Sequence, residues 1–310
     1  MTVLKAEVLA AVVRAAEGVE NPQIVDVTLG GGGHTEAILE ALPHARVLGL
    51  DQDPAALEAA TRRLQPFADR FQAVHAPFGQ LQNVMQQQGL AELTAIVADL
   101  GVSSHQFDVA ERGFSFRLDG PLDMRMDPTR GLPLAERLAT VTVEELADVL
   151  YAYGDIRRSI GTARIVLQSI EEGANTTGKL ANRLAARLDH DRKVHPATLV
   201  FQALRMWVND ELGELTQLLR DAPTLLAPGG VLAVISFHSG EDRLVKQAMM
   251  AKAPKKYGEF MRGHKLAPGD EEVRMNPRAR SARLRTLWRA KAGQRVGYRR
   301  ADEDDDELDE

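Results

Sequence analysis

Four small clusters of residues stand at the spacing that a nucleoside-binding turn requires. Gly30-Gly31-Gly32-Gly33 follows the β-branched run Ile24–Leu29. Glycines there let backbone approach a ligand closely, and the helix that follows offers free N–H groups. Asp51 closes a second apolar run, Arg46–Leu50, where a carboxylate can accept both ribose hydroxyls of an adenosine-containing cofactor. Phe78 lies just past a third run, Phe71–His75, placed to pack against an adenine ring, and Asp99 closes a fourth, Thr94–Ala98. Singly, each cluster has an ordinary explanation: glycines make tight turns and an Asp after a strand caps helices. All four at strand ends favour a nucleoside cofactor.

Two nucleotide patterns compete with this reading. Gly30, Gly32 and Thr35 follow G-x-G-x-x-G up to its third glycine, with Asp51 about twenty residues on, which keeps a nicotinamide dinucleotide open. Gly173-Ala174-Asn175-Thr176-Thr177-Gly178-Lys179-Leu180 approaches a phosphate loop, but it lacks the closing Ser/Thr and follows a helical pattern. Thr177 is read instead as a helix N-cap.

The elements that must position these residues alternate strand and helix. Apolar runs are followed by helical spacing at His34–Leu42 and Ala55–Leu64, with Pro54 opening the second. Such alternation predicts a parallel sheet covered by helices on both faces. The rhythm breaks from about Gln106 to Leu204, where helical patterns near Val143–Tyr153, Ile156–Glu172 and Thr177–Leu188 follow a Gly/Pro/Met loop at Gly113–Pro133. It resumes at Gly230–Phe237. A last alternating run, Ser281–Arg289, sets Ala282, Leu284, Thr286 and Trp288 against Arg283, Arg285 and Arg289, as an antiparallel edge strand would. The expected division is a first part of the sheet domain (1–105), a helical insertion (106–204), a second part (205–292) and a basic-then-acidic tail (293–310). That tail is expected to be disordered.

Composition narrows the class. The chain has 310 residues, with 44% hydrophobic and 26% charged, in the range of globular proteins. No apolar stretch is long enough to span a bilayer, and Met1–Gly18 reads as an amphipathic helix rather than a signal peptide. Cysteine is absent, which excludes disulfide and thiolate chemistry and makes a cytoplasmic home the default. The net charge of −6 hides an asymmetry: eight of the nine residues Asp302–Glu310 are acidic, while Lys246–Arg300 holds 16 Lys or Arg against four Asp or Glu. That basic block is either a footprint for phosphate backbone or a solvated surface. No His-x-x-x-His pair occurs, and no metal is expected.

The wider motifs resemble one family. Asp26–Thr35, Leu50–Pro54, Asp99–Ser104, Arg112–Phe116 and Gly120–Asp127 resemble, in order, blocks of the bacterial 16S rRNA cytosine-N4 methyltransferases, the RsmH (MraW) family. So do His195–Thr198, Phe201–Arg205, Val208–Leu212, Ser236–Ser239 and Asn276–Ser281. The blocks run from about Thr2 to Leu287. The chain departs from the family pattern at His105, where proline is usual, at Gly240, where leucine is usual, and at an N-terminus without the common His.

The resemblance implies an α/β fold: a Rossmann-like class I methyltransferase sheet, mostly parallel with an antiparallel edge strand, interrupted by a helical insertion domain. It implies S-adenosyl-L-methionine as cofactor, contacted by Gly32, Gly33, His34, Asp51, Phe78, Asp99 and Gln106. The implied reaction is methylation of N4 of a cytidine in the decoding region of 16S rRNA, within a small-subunit particle. A homodimer is compatible with it. A nicotinamide-dependent oxidoreductase and a non-enzymatic RNA-binding assembly protein are the alternatives.

That chemistry sets its own demands. The N4 lone pair is delocalised into the ring, so an acceptor for an N4–H bond helps localise it, and a proton must leave. Asp99 is one candidate acceptor; the other reading is that Asp99 holds the cofactor and a backbone carbonyl meets N4. Ser103, Ser104, Arg205, Asn209, His238 and Ser239 are the substrate-side candidates. For Arg205 the alternative is pairing with Glu211 or Glu214. For Asn209 it is satisfying buried backbone, and for His238 a structural hydrogen bond. Aromatics make up 5% of the chain, so phosphate and shape contacts are expected to outweigh stacking.

Overall fold

The computed structural model describes residues 2–188, 195–253 and 259–291, with the backbone alone at 104–105. The tail expected at 293–310 lies outside these residues. The chain divides into two compact units, Met1–Gly101 with Gly213–Glu310, and Val102–Leu212. The second unit starts four residues before the expected insertion, 106–204, and ends eight residues after it.

The first unit begins with α1 (Lys5–Ala16), β1 (Gln23–Asp26), α2 (Gly33–Ala41), β2 (Arg46–Asp51), α3 (Pro54–Arg63), β3 (Phe71–His75), α4 (Leu81–Gln87) and β4 (Leu93–Asp99). β1 and β4 are buried along nearly their whole length, because a parallel strand covered on both faces has no polar side to show. β3, at the sheet edge, is only partly buried. Asp53 opens α3 by accepting the Ala55 N–H at 3.0 Å, and Pro54 follows at the first helical position, where a missing N–H costs nothing.

The second unit holds α5 (Ser104–Asp108), α6 (Leu134–Thr140), α7 (Val143–Gly154), α8 (Ser159–Glu171), α9 (Thr177–Arg187) and α10 (Ala197–Val208). Its core is built from Leu134, Leu146, Leu150, Val166, Leu180, Leu184, Val200 and Leu204, at helical spacing on facing helices. A capping box starts α7: Thr142 Oγ1 accepts the Glu145 N–H at 3.2 Å, and Glu145 accepts the Thr142 N–H at 2.9 Å. The cap of α9 is Thr176, one residue before the expected Thr177. Thr176 Oγ1 accepts from Lys179 N. Thr177 is buried instead, and its Oγ1 accepts the Gly120 N–H at 3.0 Å.

The chain leaves this unit through α11 (Glu211–Leu225) and completes the first with β5 (Leu226–Ser236), α12 (Ser239–Lys252), β6 (Phe260–Arg262), α13 (Asp270–Met275) and β7 (Arg283–Arg289). The sheet order is β3-β2-β1-β4-β5-β7-β6. β1 to β5 are parallel, and β7 runs antiparallel against β5, with the three-residue β6 outside it. β7 does not keep strict polar and apolar alternation: Leu287, on the arginine side, is buried along with Leu284. Val8 and Val12 of α1 pack against the sheet through Ile24, Val97 and Ile235. Among the described residues no helix is long and apolar enough to cross a membrane.

Candidate active site

The carboxyl ends of β1, β2 and β4 build the site in the first unit. After β1 the chain turns at Gly30 (φ +49°) and Gly32 (φ +76°), left-handed conformations that favour glycine. Asp51, at the end of β2, fastens this turn. Its Oδ2 accepts the Gly30 N–H at 2.7 Å and its Oδ1 the Asp53 N–H at 2.8 Å. Burial pushes its pKa up to about 6, although both N–H groups pull the other way. Each oxygen has a second lone pair for a ligand hydroxyl.

A second polar group lies beneath the turn. Asp26, ending β1, is 1% exposed; it accepts the Thr35 hydroxyl at 2.8 Å and the Thr28 N–H at 3.3 Å. Burial raises its pKa, against the opposing pull of His34. His34, in the first turn of α2, is also buried, and its Nε2 lies 3.6 Å from Asp99 Oδ2. Burial favours its neutral form, but Asp99 and then Asp26 outweigh that and its pKa rises. The Asp99 N–H donates to Thr28 Oγ1 at 2.6 Å. His34 Nε2 and Asp99 Oδ1 are buried without a hydrogen-bond partner. Asp26 and Thr35 went unassigned in the sequence reading, although an acid ending a fully buried strand is the signal that marks such a group.

Phe78 sits past the end of β3, in a short 3₁₀ turn, Phe78–Gln80. That turn is anchored by Glu214, whose Oε2 accepts the Gly79 N–H at 2.7 Å; a Cβ on Gly79 would lie 2.4 Å from the same oxygen. Beyond β5, His238 caps α12: its Nδ1 accepts the Glu241 N–H at 3.3 Å, and its Nε2 lies 3.0 Å from Glu241 Oε1. The other Glu241 oxygen accepts the Phe237 N–H at 2.9 Å. His238 Nδ1 is thus engaged in its own turn, its Nε2 is buried without a hydrogen bond, and Ser239 beside it is exposed.

The remaining candidates belong to the second unit. Ser103 and Gln106 form a capping box at α5, with Ser103 N–H donating to Gln106 Oε1 at 2.9 Å; nothing is described of the Ser104 side chain. Arg205 makes a two-pronged ion pair with Glu211, at 2.7 and 2.9 Å, and both side chains are largely buried. Glu214, its other expected partner, holds Gly79. Asn209 latches the loop before α6. Its Oδ1 accepts the Met126 N–H at 2.7 Å, and its Nδ2 donates to the carbonyls of Met124 and Arg205, both at 2.8 Å. Arg112 adds donations to the Arg125 and Met126 carbonyls. Of the two readings open for Arg205 and Asn209, these are the engagements the structure shows.

Three arginines of the basic block are likewise engaged. Arg285 grips Asp242 at 2.8 and 2.9 Å, Arg289 lies 2.8 Å from Glu259, and Arg283 donates to the Ala282 carbonyl. Asp242 loses solvation on burial, yet Arg285 holds its carboxyl below the usual range.

A seven-strand sheet with antiparallel β7, a glycine turn after β1 and acids closing β1, β2 and β4 defines an α/β methyltransferase. The pattern of the MraW methylase family matches residues 1–290, and the chain belongs to that family. It is 46% identical over 292 residues to the ribosomal RNA small subunit methyltransferase H of Sorangium cellulosum (strain So ce56), covering 93% of this chain and 90% of that protein. It is 48% identical over 276 residues to the protein of the same name from Synechococcus sp. (strain CC9311), covering 87% and 86%. Among solved structures it is similar to an rRNA methylase from Streptococcus thermophilus, with a TM-score of 0.42 and 12% identity over 94% of this chain and 99% of that one. Family membership favours methyl transfer over the nicotinamide-dependent oxidoreductase and the non-enzymatic assembly protein.

Proposed function

We propose that this chain methylates N4 of a cytidine in the decoding region of 16S rRNA, using S-adenosyl-L-methionine, on a small-subunit particle in the cytoplasm. The observation that carries the cofactor is the charge around the glycine turn. Three carboxylates, Asp26, Asp51 and Asp99, close neighbouring strands there and are close enough to perturb one another. A pyrophosphate-bearing dinucleotide would bring two negative charges to this turn, whereas a sulfonium and an ammonium bring positive ones. The unpartnered Asp99 Oδ1 and the open lone pairs of Asp51 fit such a group.

When bound, S-adenosylmethionine supplies an electrophilic sulfonium methyl and leaves as S-adenosylhomocysteine. The chain's own work is to bind, orient and accept a proton. Asp51 takes the ribose hydroxyls, Phe78 covers the adenine, and Gly32, Gly33 and the backbone of His34 line the turn, with Gln106 completing the cofactor contacts. Asp99 accepts an N4–H hydrogen bond, which localises the nitrogen lone pair as the N–CH₃ bond forms, and it receives the proton that N4 loses. The rival arrangement, in which Asp99 binds cofactor and a backbone carbonyl meets N4, uses the same residues.

The unit Val102–Leu212 serves RNA recognition in this reading. Its candidates at the RNA are Ser103 and Ser104, with His238 and Ser239 from the first unit. Arg205 and Asn209 act by holding the loop around Met124–Met126. A target base must leave its stack, at a cost of about a few kcal/mol that is smallest in loose RNA. The two relatives named as small subunit rRNA methyltransferases support this substrate.

The test incubates purified protein with labelled donor and small-subunit particles that lack the modification, followed by nuclease digestion and mass spectrometry. N4-methylcytidine at one position is the expected product. Label on a ribose or another base would overturn the substrate, and no transfer to any particle or rRNA would overturn the activity.

A further inference from the structure

The geometry points to His34 as a positioning residue whose side chain, separately from its backbone, holds the Asp99 carboxylate in its working orientation. This rests on the methyl-transfer reading above.

Two histidines border the site, and Nε2 of each is buried without a hydrogen bond. His238 Nδ1 accepts the Glu241 N–H of its own turn, and its Nε2 lies 3.0 Å from Glu241 Oε1 on the same turn. His34 is 5% exposed, yet its Nε2 makes no hydrogen bond; 3.6 Å away is an Asp99 carboxylate whose other oxygen is buried and unpartnered as well. Unpartnered polar atoms are rare in a protein interior, and one on each of two facing side chains needs a reason. At 3.6 Å the contact is too long to share a proton well but short enough for strong attraction between charges in a poorly solvated place.

The groups that face the imidazole give the reason. Asp99 approaches it from β4, Asp26 from β1 and Lys5 from α1. Asp26 and Asp99 repel each other across this small space. An imidazolium there offsets the repulsion and holds the Asp99 carboxylate through Oδ2, with its remaining lone pairs available to a ligand. Loss of the imidazolium proton removes the only cation lying between the two acids among these groups. Asp99 then loses its tether at Oδ2, and with it the orientation in which its other lone pairs meet a cofactor or an amine N–H. His34 holds its proton to higher pH than a free imidazole, because Asp99 and Asp26 outweigh its burial, so this loss comes above the ordinary 6.5.

The first measurement needs no turnover. In full-length protein labelled with ¹⁵N-histidine, the His34 ring is expected to titrate above 6.5, and Asp99→Asn is expected to lower that value. The second is the pH profile of kcat/KM for methyl transfer to particles. His34→Gln keeps an N–H donor but cannot titrate, so it should remove the alkaline fall seen in the parent. It should also lower kcat at neutral pH by about tenfold to a hundredfold, with KM for the particle unchanged. A His34 ring that titrates at or below 6.5 and ignores Asp99→Asn would overturn the inference, as would a His34→Gln profile that parallels the parent's. If the parent transfers no methyl, the function reading fails while the ring titration still decides the pair. If His34→Gln does not fold, the ring titrations of parent and Asp99→Asn decide it.

Discussion

Replacing Asp51 with Asn asks what fastens the glycine turn. Asp51 holds the N–H groups of Gly30 and Asp53 at 2.7 and 2.8 Å, and burial lifts its pKa from 3.8 to about 6. A raised acid pKa means that the folded state binds this proton more tightly than the unfolded chain. Its contribution to stability is therefore complete below pH 3.8 and is lost as pH rises through 6. At 1.36 kcal/mol per pH unit, the interval amounts to about 3 kcal/mol at most, since a partly exposed carboxylate keeps some of its water. Asn removes that ionisation cost. However, it offers one carbonyl to two N–H donors and turns its own NH₂ toward the other, which costs about 1–3 kcal/mol. The two effects oppose, so Asp51→Asn should change unfolding free energy at pH 7.5 by less than about 2 kcal/mol. The signature is in the pH dependence. Urea unfolding of both proteins between pH 4.5 and 7.5 should show the parent gaining about 2 kcal/mol on the variant toward the acid end. Calorimetry with S-adenosylhomocysteine at pH 7.5 should show affinity falling at least about tenfold, the loss of one charged hydrogen bond or more. A stability difference that stays flat across this range would refute the claim that Asp51 is ionised at a cost in the fold.

Two further predictions concern the loop that Asn209 latches. Asn209→Ala strips partners from Met124 O, Met126 N and Arg205 O and should cost about 2–4 kcal/mol in urea unfolding, with loss of hydrogen-exchange protection at the Met126 amide; a cost below about 0.5 kcal/mol would show that the loop is held elsewhere. Gly113→Ala places a Cβ 2.1 Å from the Pro121 carbonyl oxygen at φ +71°. It should cost about 2–4 kcal/mol, whereas Gly161→Ala, with open space around it inside α8, should gain about 0.5–1 kcal/mol by calorimetry.

Periodicity and punctuation made much of the fold legible. The runs ending at Asp51 and Asp99 are strands because buried parallel strands read as unbroken apolar stretches, and the glycine cluster marks a turn whose backbone goes left-handed at Gly30 and Gly32. β6 escaped because three residues carry no period, and the cap of α9 was misplaced by one because Thr176 and Thr177 are chemically alike. Asp26 shows a different limit. A carboxylate in a fully buried position reads as a strand end in sequence, and only the Thr35 hydroxyl folding back onto it reveals a compensated charge.

Arg205, Asn209, His34 and His238 all lie in motifs that resemble the family's, and pattern alone gives them equal claim to a ligand. Hydrogen-bond accounting separates them. Arg205 meets Glu211 with both prongs, Asn209 uses its carbonyl and its amide on backbone, and His238 gives Nδ1 to its own turn with Nε2 set 3.0 Å from Glu241. A side chain so engaged must break a buried contact before it can bind anything else, at a cost of about 1–3 kcal/mol for each polar group left bare. His34 and Asp99 carry no such cost at Nε2 and Oδ1, because those atoms have nothing to release. A ligand arriving there gains its hydrogen bonds outright. Under the proposed function, the same motif resemblance therefore marks scaffold at Arg205 and Asn209, and the reacting end at the meeting of α2 and β4.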